Sequence, residues 1–507
     1  MTPKRIPATL FFSGTTRGVA GDLRLARLEP RASPRGMWAL EFAVLGSAWA
    51  FPSALRIIQG PGTEWLRQSV YHTLLPPMLG LSLWLAWAAR PPVAEQPPGF
   101  QQHLVTYLAV WICCVAADWL QGPYVYALYE AYGYSETSIM VLFVAGYSAS
   151  GVCSCGIGAV ADRFGRKRCC MAFCVLHGLA AILIHWNVYA ILIISRILAG
   201  AGTAILFSCF ECWMVSEHNS RHHFSSSSLS YMFSLKFRAM YYVAVVAGLA
   251  AQLAVDSTHL TVLEGSRIYY GGYTVPYDIS AALLVVGFLL IASLWNENYG
   301  CQSELGRPLM QDALHALVKD RNCRRLCAVV AIFEGSMYIF VSNWTPALES
   351  KEVPPPHGLT FALFMMAATC GSSVATLGRC LSARRQLRII LVLCVASFAL
   401  AAQSACGAIC QCLGAFMTFE FCVGWYFPCI GIAKSEHVPE RIRGSMYNLF
   451  RVPLNALVLL LLLSDLSSES RFAICSLLLL IAVLATIGLV NEDEKRNLVE
   501  APFTDEA

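Results

Sequence analysis

From residue 101 the chain alternates between apolar blocks of roughly 20 residues and short polar loops, a pattern that predicts a bundle of membrane-crossing helices. Twelve blocks can be marked, near 101–126, 137–161, 169–186, 188–212, 229–254, 275–295, 326–347, 358–378, 387–404, 407–432, 445–464 and 471–490. A polar stretch, 296–325, falls midway, so the blocks read as six spans, a charged loop and six more spans. Upstream, residues 1–65 read as a basic leader, either targeting or disordered: within residues 1–36, Lys4, Arg5, Arg17, Arg24, Arg27, Arg31 and Arg35 stand against Asp22 and Glu29. Residues 66–100 hold a candidate extra helix, near 69–89, and a linker.

Charge fixes the expected topology, because positive residues favour cytosolic loops. One side collects Arg163, Arg166, Lys167, Arg168, Arg221, Arg307, Lys319, Arg321, Arg324, Arg325, Arg379, Arg384, Arg385, Lys434, Arg441, Arg443, Lys495 and Arg496. The opposite side has only Arg267, Lys351 and Arg471. The domains therefore read as an N-terminal half over 101–295, a cytosolic loop over 296–325, a C-terminal half over 326–490 and a cytosolic tail over 491–507. If 69–89 crosses the membrane, the extreme N-terminus lies on the outer side.

Composition narrows the class further. The chain is 57% hydrophobic and 13% charged, with mean hydropathy +0.56, against about 25% charged in soluble domains. A net charge of +4 over 507 residues gives no basis for nucleic-acid binding. The 21 cysteines fall mostly inside apolar blocks, as Cys113, Cys114, Cys174, Cys209 and Cys422 do, and read as small hydrophobes. The pairs Cys153/Cys155 and Cys410/Cys412 lack partner pairs at zinc spacing, so no metal site or cofactor is expected.

Two motifs carry mechanism. Gly158-Ala-Val-Ala-Asp162-Arg163-Phe-Gly165-Arg166-Lys167-Arg168 follows the second span and matches the G-x-x-x-D-R-x-G-R-K loop of the major facilitator superfamily. Its glycines permit a tight turn, and its acid and bases can form ion pairs that exist in one conformation only. In the fourth span, Arg196-Ile-Leu-Ala-Gly200-Ala-Gly202 resembles that superfamily's R-x-x-x-G-x-G pattern. The fifth span lacks the glycine–proline pattern of superfamily antiporters, which favours uniport or symport.

Charges inside spans are costly and usually face a partner or a watery cavity. They are Asp118, Arg196, Glu211, Lys236, Arg238, Glu334, Glu420 and Arg451. Aligning the halves matches Asp118 with Glu334, Glu211 with Glu420 and Arg238 with Arg451, as two homologous halves around a midplane site would. The pairs Phe210-Glu211, Phe333-Glu334 and Phe419-Glu420 repeat locally. Asn448, Arg451 and Asn455 share one helix face and form a candidate anion cradle. Lys236 and Arg238 diverge by about 200° on a helix, and the half-to-half match favours Arg238. For each charge, a structural ion pair competes with substrate contact. His218, His222 and His223 read as a solvated loop face, with metal binding or pH sensing as the sharper alternative.

As a group, Asp118-Trp-Leu-Gln-Gly-Pro-Tyr124, the 158–168 loop, Leu206-Phe-Ser-Cys-Phe-Glu211-Cys-Trp213, Glu217-His-Asn, Trp295-Asn-Glu-Asn-Tyr-Gly300, Phe333-Glu334 with Trp344-Thr-Pro346, and Phe450-Arg451-Val-Pro-Leu454 resemble the molybdate-anion transporter family. This branch of the major facilitator superfamily is matched over roughly 100–490. The resemblance implies an all-α fold of two six-helix halves and uptake of molybdate, a tetrahedral dianion, through the cell membrane. Arg196, Arg238 and Arg451 would then supply donors to oxyanion oxygens, while Asp118, Glu211, Glu334 and Glu420 hold them and carry coupling protons. The N-terminal extension departs from the pattern and leaves an organelle membrane open as the destination. Rival readings are a carrier of another oxyanion or organic solute, and a non-transporting sensor of the same fold. An intramembrane enzyme lacks support, because no nucleophile motif, His-rich metal set or phosphate loop is present.

Overall fold

Sixteen helices, α1–α16, carry the chain in a computed structural model that describes residues 64–90, 96–300, 307–349, 355–378, 380–403, 409–439 and 442–489. The basic leader, apart from its last two residues, and the expected tail lie outside these residues. The helices are α1 (Glu64–Ala88), α2 (Phe100–Gln121), α3 (Val125–Ala131), α4 (Glu136–Phe164), α5 (Arg166–Leu183), α6 (Tyr189–Leu206), α7 (Cys209–Ser216) and α8 (Ser226–Asp256). After these come α9 (Val275–Leu294), α10 (Arg307–Lys319), α11 (Arg321–Leu348), α12 (His357–Leu377), α13 (Ala383–Gln403), α14 (Ile409–His437), α15 (Arg443–Leu463) and α16 (Ser468–Ile487). A two-stranded hairpin pairs β1 (Thr261–Val262) with β2 (Tyr269–Tyr270) in the loop between α8 and α9. Among the described residues, eleven segments are long and apolar enough to cross a membrane. With α5, whose first turn carries Arg166, Lys167 and Arg168, they make the twelve core spans.

Local chemistry sets the boundaries. Ser135, Ser225 and Ser467 accept hydrogen bonds from the backbone amides of Ser138, Ser228 and Ser470, capping α4, α8 and α16. Asp320 caps α11 the same way, which lets that helix begin in the polar Arg321-Asn-Cys-Arg-Arg stretch, five residues before the apolar block. The first span breaks at Gly122-Pro123, where proline has no amide to donate. The fourth breaks at Phe207-Ser208 and ends in a short π-helical turn, Glu217–Arg221. The central loop, read as a polar linker, contains the amphipathic helix α10.

The two halves repeat one crossing. A Cβ on Gly200 of α6 would collide with the Gly146 carbonyl of α4, and a Cβ on Gly424 of α14 would collide with the Ala368 carbonyl of α12. Backbone contact at equivalent places is the close approach that small residues permit.

The apolar cores are arranged asymmetrically across the membrane. One cluster, around Trp111, Phe210, Trp213 and Trp295, contains residues of the N-terminal half alone. The larger cluster joins C-terminal residues such as Phe340, Phe416 and Phe419 to Tyr126, Tyr129, Met140 and Phe143 at the outer ends of the N-terminal half. The halves thus share an apolar core at one end of the bundle, the end that the loop charges assign to the outer side, while the N-terminal half's core toward the end they assign to the cytosol stands by itself.

Helix α1 lies against α12 and α14 and runs in the same direction as α12. Tyr71, near its start, is buried beside Thr360 and Cys412 at the outer ends of those helices, and Ala89, just past its end, accepts a 3.4 Å hydrogen bond from Arg238 of α8.

Candidate functional site

The buried charges sort into separate clusters. In the N-terminal half, Asp118 Oδ1 of α2 lies 3.3 Å from His177 Nε2 of α5. The Arg196 guanidinium of α6 acts electrostatically on both, and its Nε is buried without a hydrogen-bond partner. His177 was not among the residues nominated from sequence, because a neutral imidazole in an apolar block leaves no charge to notice.

In the same half, Lys236 Nζ of α8 stands 2.7 Å from Glu211 Oε2 of α7. The ammonium lies 4.6 Å from the Trp111 ring centroid and 5.2 Å from that of Phe237. Lys236 is 2% exposed, a buried cation held by one carboxylate and aromatic faces. Arg238, which the half-to-half match favours, points elsewhere on α8, to the Ala89 carbonyl of α1. The roughly 200° divergence of the two side chains holds, but Lys236 takes the face toward Glu211.

In the C-terminal half, Glu334 of α11 accepts from Tyr426 at 3.3 Å and from Lys434 at 3.4 Å, both on α14. Glu420 of α14 is buried and within electrostatic reach of Tyr241 on α8. The charge pairs therefore do not follow the half-to-half matching: Glu211 pairs across spans four and five, Glu334 across seven and ten.

On α15, Asn448 and Asn455 are half-buried, while Arg451 is exposed and forms no ion pair among the described residues. Asn455 packs on α4, its Nδ2 2.8 Å from where a Cβ of Gly151 would stand. Arg451 lies within electrostatic reach of Tyr338 on α11. A guanidinium without a protein carboxylate, flanked by two amides, has donors free for an anion.

The loop motif is latched within its own half. Asp162 accepts from Arg166 at 2.7 and 3.0 Å, and Arg166 also donates to the Cys212 carbonyl. Glu297, just beyond α9, accepts from the amides of Lys167 at 2.8 Å and Arg168 at 3.2 Å. Lys167 Nζ reaches the carbonyls of Ala292 and Trp295, and Asn298 donates to Glu217, which also pairs with Arg221. Gly165 joins α4 to α5 at φ 109°, a conformation that favours glycine. Gly158 has open space around it, and Arg163 lies against the Phe164 ring.

Of the three loop histidines, His222 and His223 are exposed, as on a solvated face, and only His218 departs from that reading. His218 is fully buried against Phe100 and Phe224, with Nε2 3.0 Å from the Ser225 carbonyl, and His222 stacks on Phe224. Among the described residues, no group of three or more His, Cys, Asp or Glu side chains can hold a metal ion.

Twelve core spans in two halves, a latched G-x-x-x-D-R-x-G-R-K loop and buried charges in both halves define a membrane carrier of the major facilitator type, not an enzyme. Residues 74–425 match a family described as sugar transporters with twelve transmembrane segments. A molybdate-anion transporter of Xenopus laevis is 32% identical over 407 residues, covering 77% of this chain and 87% of that protein. One from Danio rerio is 29% identical over 450 residues, covering 80% and 90%. The chain belongs to the molybdate-anion transporter family of the major facilitator superfamily. Its fold resembles the nucleoside transporter NupG, with a TM-score of 0.56, 13% identity, and coverage of 77% of this chain and 98% of that one. A mutant of NupG superposes with a TM-score of 0.60 at 14% identity, covering 77% and 100%.

Proposed function

We propose that the protein is a secondary active transporter that takes up molybdate, or a closely related tetrahedral oxyanion, by alternating access, with protons as the coupling ion and the cell membrane as its site. The observation that carries this reading is Arg451, exposed and without an ion-pair partner among the described residues, on one face with Asn448 and Asn455. The names of the relatives support the oxyanion. A sugar, suggested by the matched family's description, needs no free guanidinium.

Alternating access is supported by the uneven cores. The outer ends of the halves bury common apolar surface while the cytosolic ends do not, the arrangement expected when a central site faces the cytosol. Proton coupling is supported by Asp118, a membrane carboxyl whose neighbours are a histidine and an arginine. Loading and unloading a proton there changes what Arg196 must balance.

Uptake of labelled molybdate in a host lacking its own carrier, with Arg451→Ala and Asp118→Asn at matched surface expression, tests the reading. Saturable wild-type uptake, lost in both variants and competed by related oxyanions more than by nucleosides, is expected. A correctly folded wild type that leaves molybdate outside the cell overturns the substrate.

A further inference from the structure

A cavity of about 260 Å³ lies at the outer mouth, where the two halves and α1 meet. Its lining includes Tyr124, Gln252, Asp256 and Tyr273 from the N-terminal half, His357 from the C-terminal half and His72 from α1. It is smaller than the ~300–1,000 Å³ of sites for drug-sized ligands, so its occupant is a small molecule.

Its polar groups are organised but incomplete. Tyr124 donates to Gln252 Oε1 at 2.9 Å, and that oxygen also accepts from the Gly358 amide at 3.1 Å. The Gln252 amide nitrogen donates to both Asp256 oxygens, at 3.0 and 3.1 Å, and so presents the carboxylate at the rim. His357 is 2% exposed and both its ring nitrogens lack a hydrogen-bond partner. A buried imidazole left without partners is costly unless something else supplies them.

The lining also has a sign. Among the described residues it contains no lysine or arginine, and Asp256 is its acid. Glu130 acts electrostatically on Tyr273 from beside it. The Tyr273 ring, half-buried, stacks nearly parallel on the buried Tyr124 ring, with centroids 5.5 Å apart, and is the aromatic group of the lining that a cation can meet. These features disfavour the oxyanion proposed for the central site.

We propose that this cavity binds a small organic cation, an ammonium carried on a compact apolar group. The ammonium donates to Asp256, and the buried His357 ring turns one of its unpartnered nitrogens toward it, while the apolar part packs on Tyr273. Because both halves line the cavity, it is whole only when their outer ends meet. A ligand there favours the outer-closed state by its differential affinity and inhibits uptake.

The test uses the full chain in lipid nanodiscs with benzylammonium as probe and tryptophan fluorescence as readout, since the Trp344 ring lies 5.9 Å from that of His357. Saturable binding is expected, weakened at least about tenfold, or 1.4 kcal/mol, by Asp256→Asn and by His357→Phe. Asp256 is exposed, so its variant keeps the test valid if the His357 variant fails to fold. Equal binding in wild type and Asp256→Asn, no saturable binding, or a response to molybdate that His357→Phe removes would each overturn the proposal. Binding is read without transport, so the outcome is separate from the identity of the carried solute.

Discussion

Arg471 Nη1 of α16 stands 2.7 Å from Glu136 Oε1 of α4, an ion pair that ties the two halves together at their outer ends. Arg471 is itself fixed by Asn343 at 2.9 Å and by the carbonyls of Leu461 and Ser464. Nearby, Tyr147 of α4 shares a hydrogen bond with Ser342 of α11 at 3.1 Å. Arg471, one of the few cations on the sparse side of the topology, thus serves as a clasp.

Glu136→Gln should loosen that clasp without unseating Arg471, whose other acceptors remain. A charge-assisted hydrogen bond contributes about 1.5–3 kcal/mol, but the Glu136 side chain is 43% exposed, so about 1 kcal/mol is the reasonable effect. That is roughly a fivefold shift toward states open on the outer side. Spin labels at the exposed Leu263 and Asp465 should gain a longer-distance population; an unchanged distribution would refute the clasp.

Lys236 is a buried cation paired with Glu211, whereas Arg238 reaches only the Ala89 carbonyl among the described residues. Lys236→Met leaves Glu211 without its partner and removes the charge over Trp111, so uptake at matched surface expression should fall at least about tenfold, a 1.4 kcal/mol change. Arg238→Ala loses a long contact to the Ala89 carbonyl and should keep uptake within about twofold. The reverse ranking would restore the assignment drawn from half-to-half matching.

The different partners of Lys236 and Arg238 show where sequence reading stops. The spans and the family were legible because apolar blocks near 20 residues and the Gly158–Arg168 loop are local signals. Pairing between spans is a tertiary property: nothing in the chain says that Asp118 meets His177, or that Glu334 meets Lys434 and not a cation of span eleven. Helix α10 was hidden for a related reason, since a short amphipathic segment in a charged loop lacks the length of a span. Glu297 escaped notice because its role, accepting from the amides of Lys167 and Arg168, depends on a contact 130 residues away.

Gly165→Ala should weaken the cytosolic latch. Its φ of 109° and ψ of 132° cost a side-chain-bearing residue about 1–3 kcal/mol, and its Cβ would lie 2.5 Å from Glu297 Cδ. A lower apparent Tm in detergent is expected. Adding Glu297→Ala removes the collision but not the backbone strain, so the double variant should recover only part of the loss; full recovery would locate the whole cost in the collision.

Outer closure should also depend on pH through Glu349, the residue that follows α11. Burial, and then a hydrogen bond with Glu130 of α3, push its carboxyl up to about 8. The groups around it are Glu130, Tyr126 and Tyr273, and Tyr126 also feels Glu136 and Arg471. When the outer ends separate, water restores the ordinary carboxylate value, near 4.5. The closed form then holds more protons than the open form, so its advantage is fully present below about 4.5 and is lost as pH rises through about 8. Labels at Leu263 and Asp465 should report short distances at pH 5 and a growing long-distance fraction toward pH 9. Glu349→Gln keeps the hydrogen-bonding shape without a titrating proton and should stay closed across that range. The same titration in Glu349→Gln, or none in the wild type, would show that this carboxyl does not control the outer mouth.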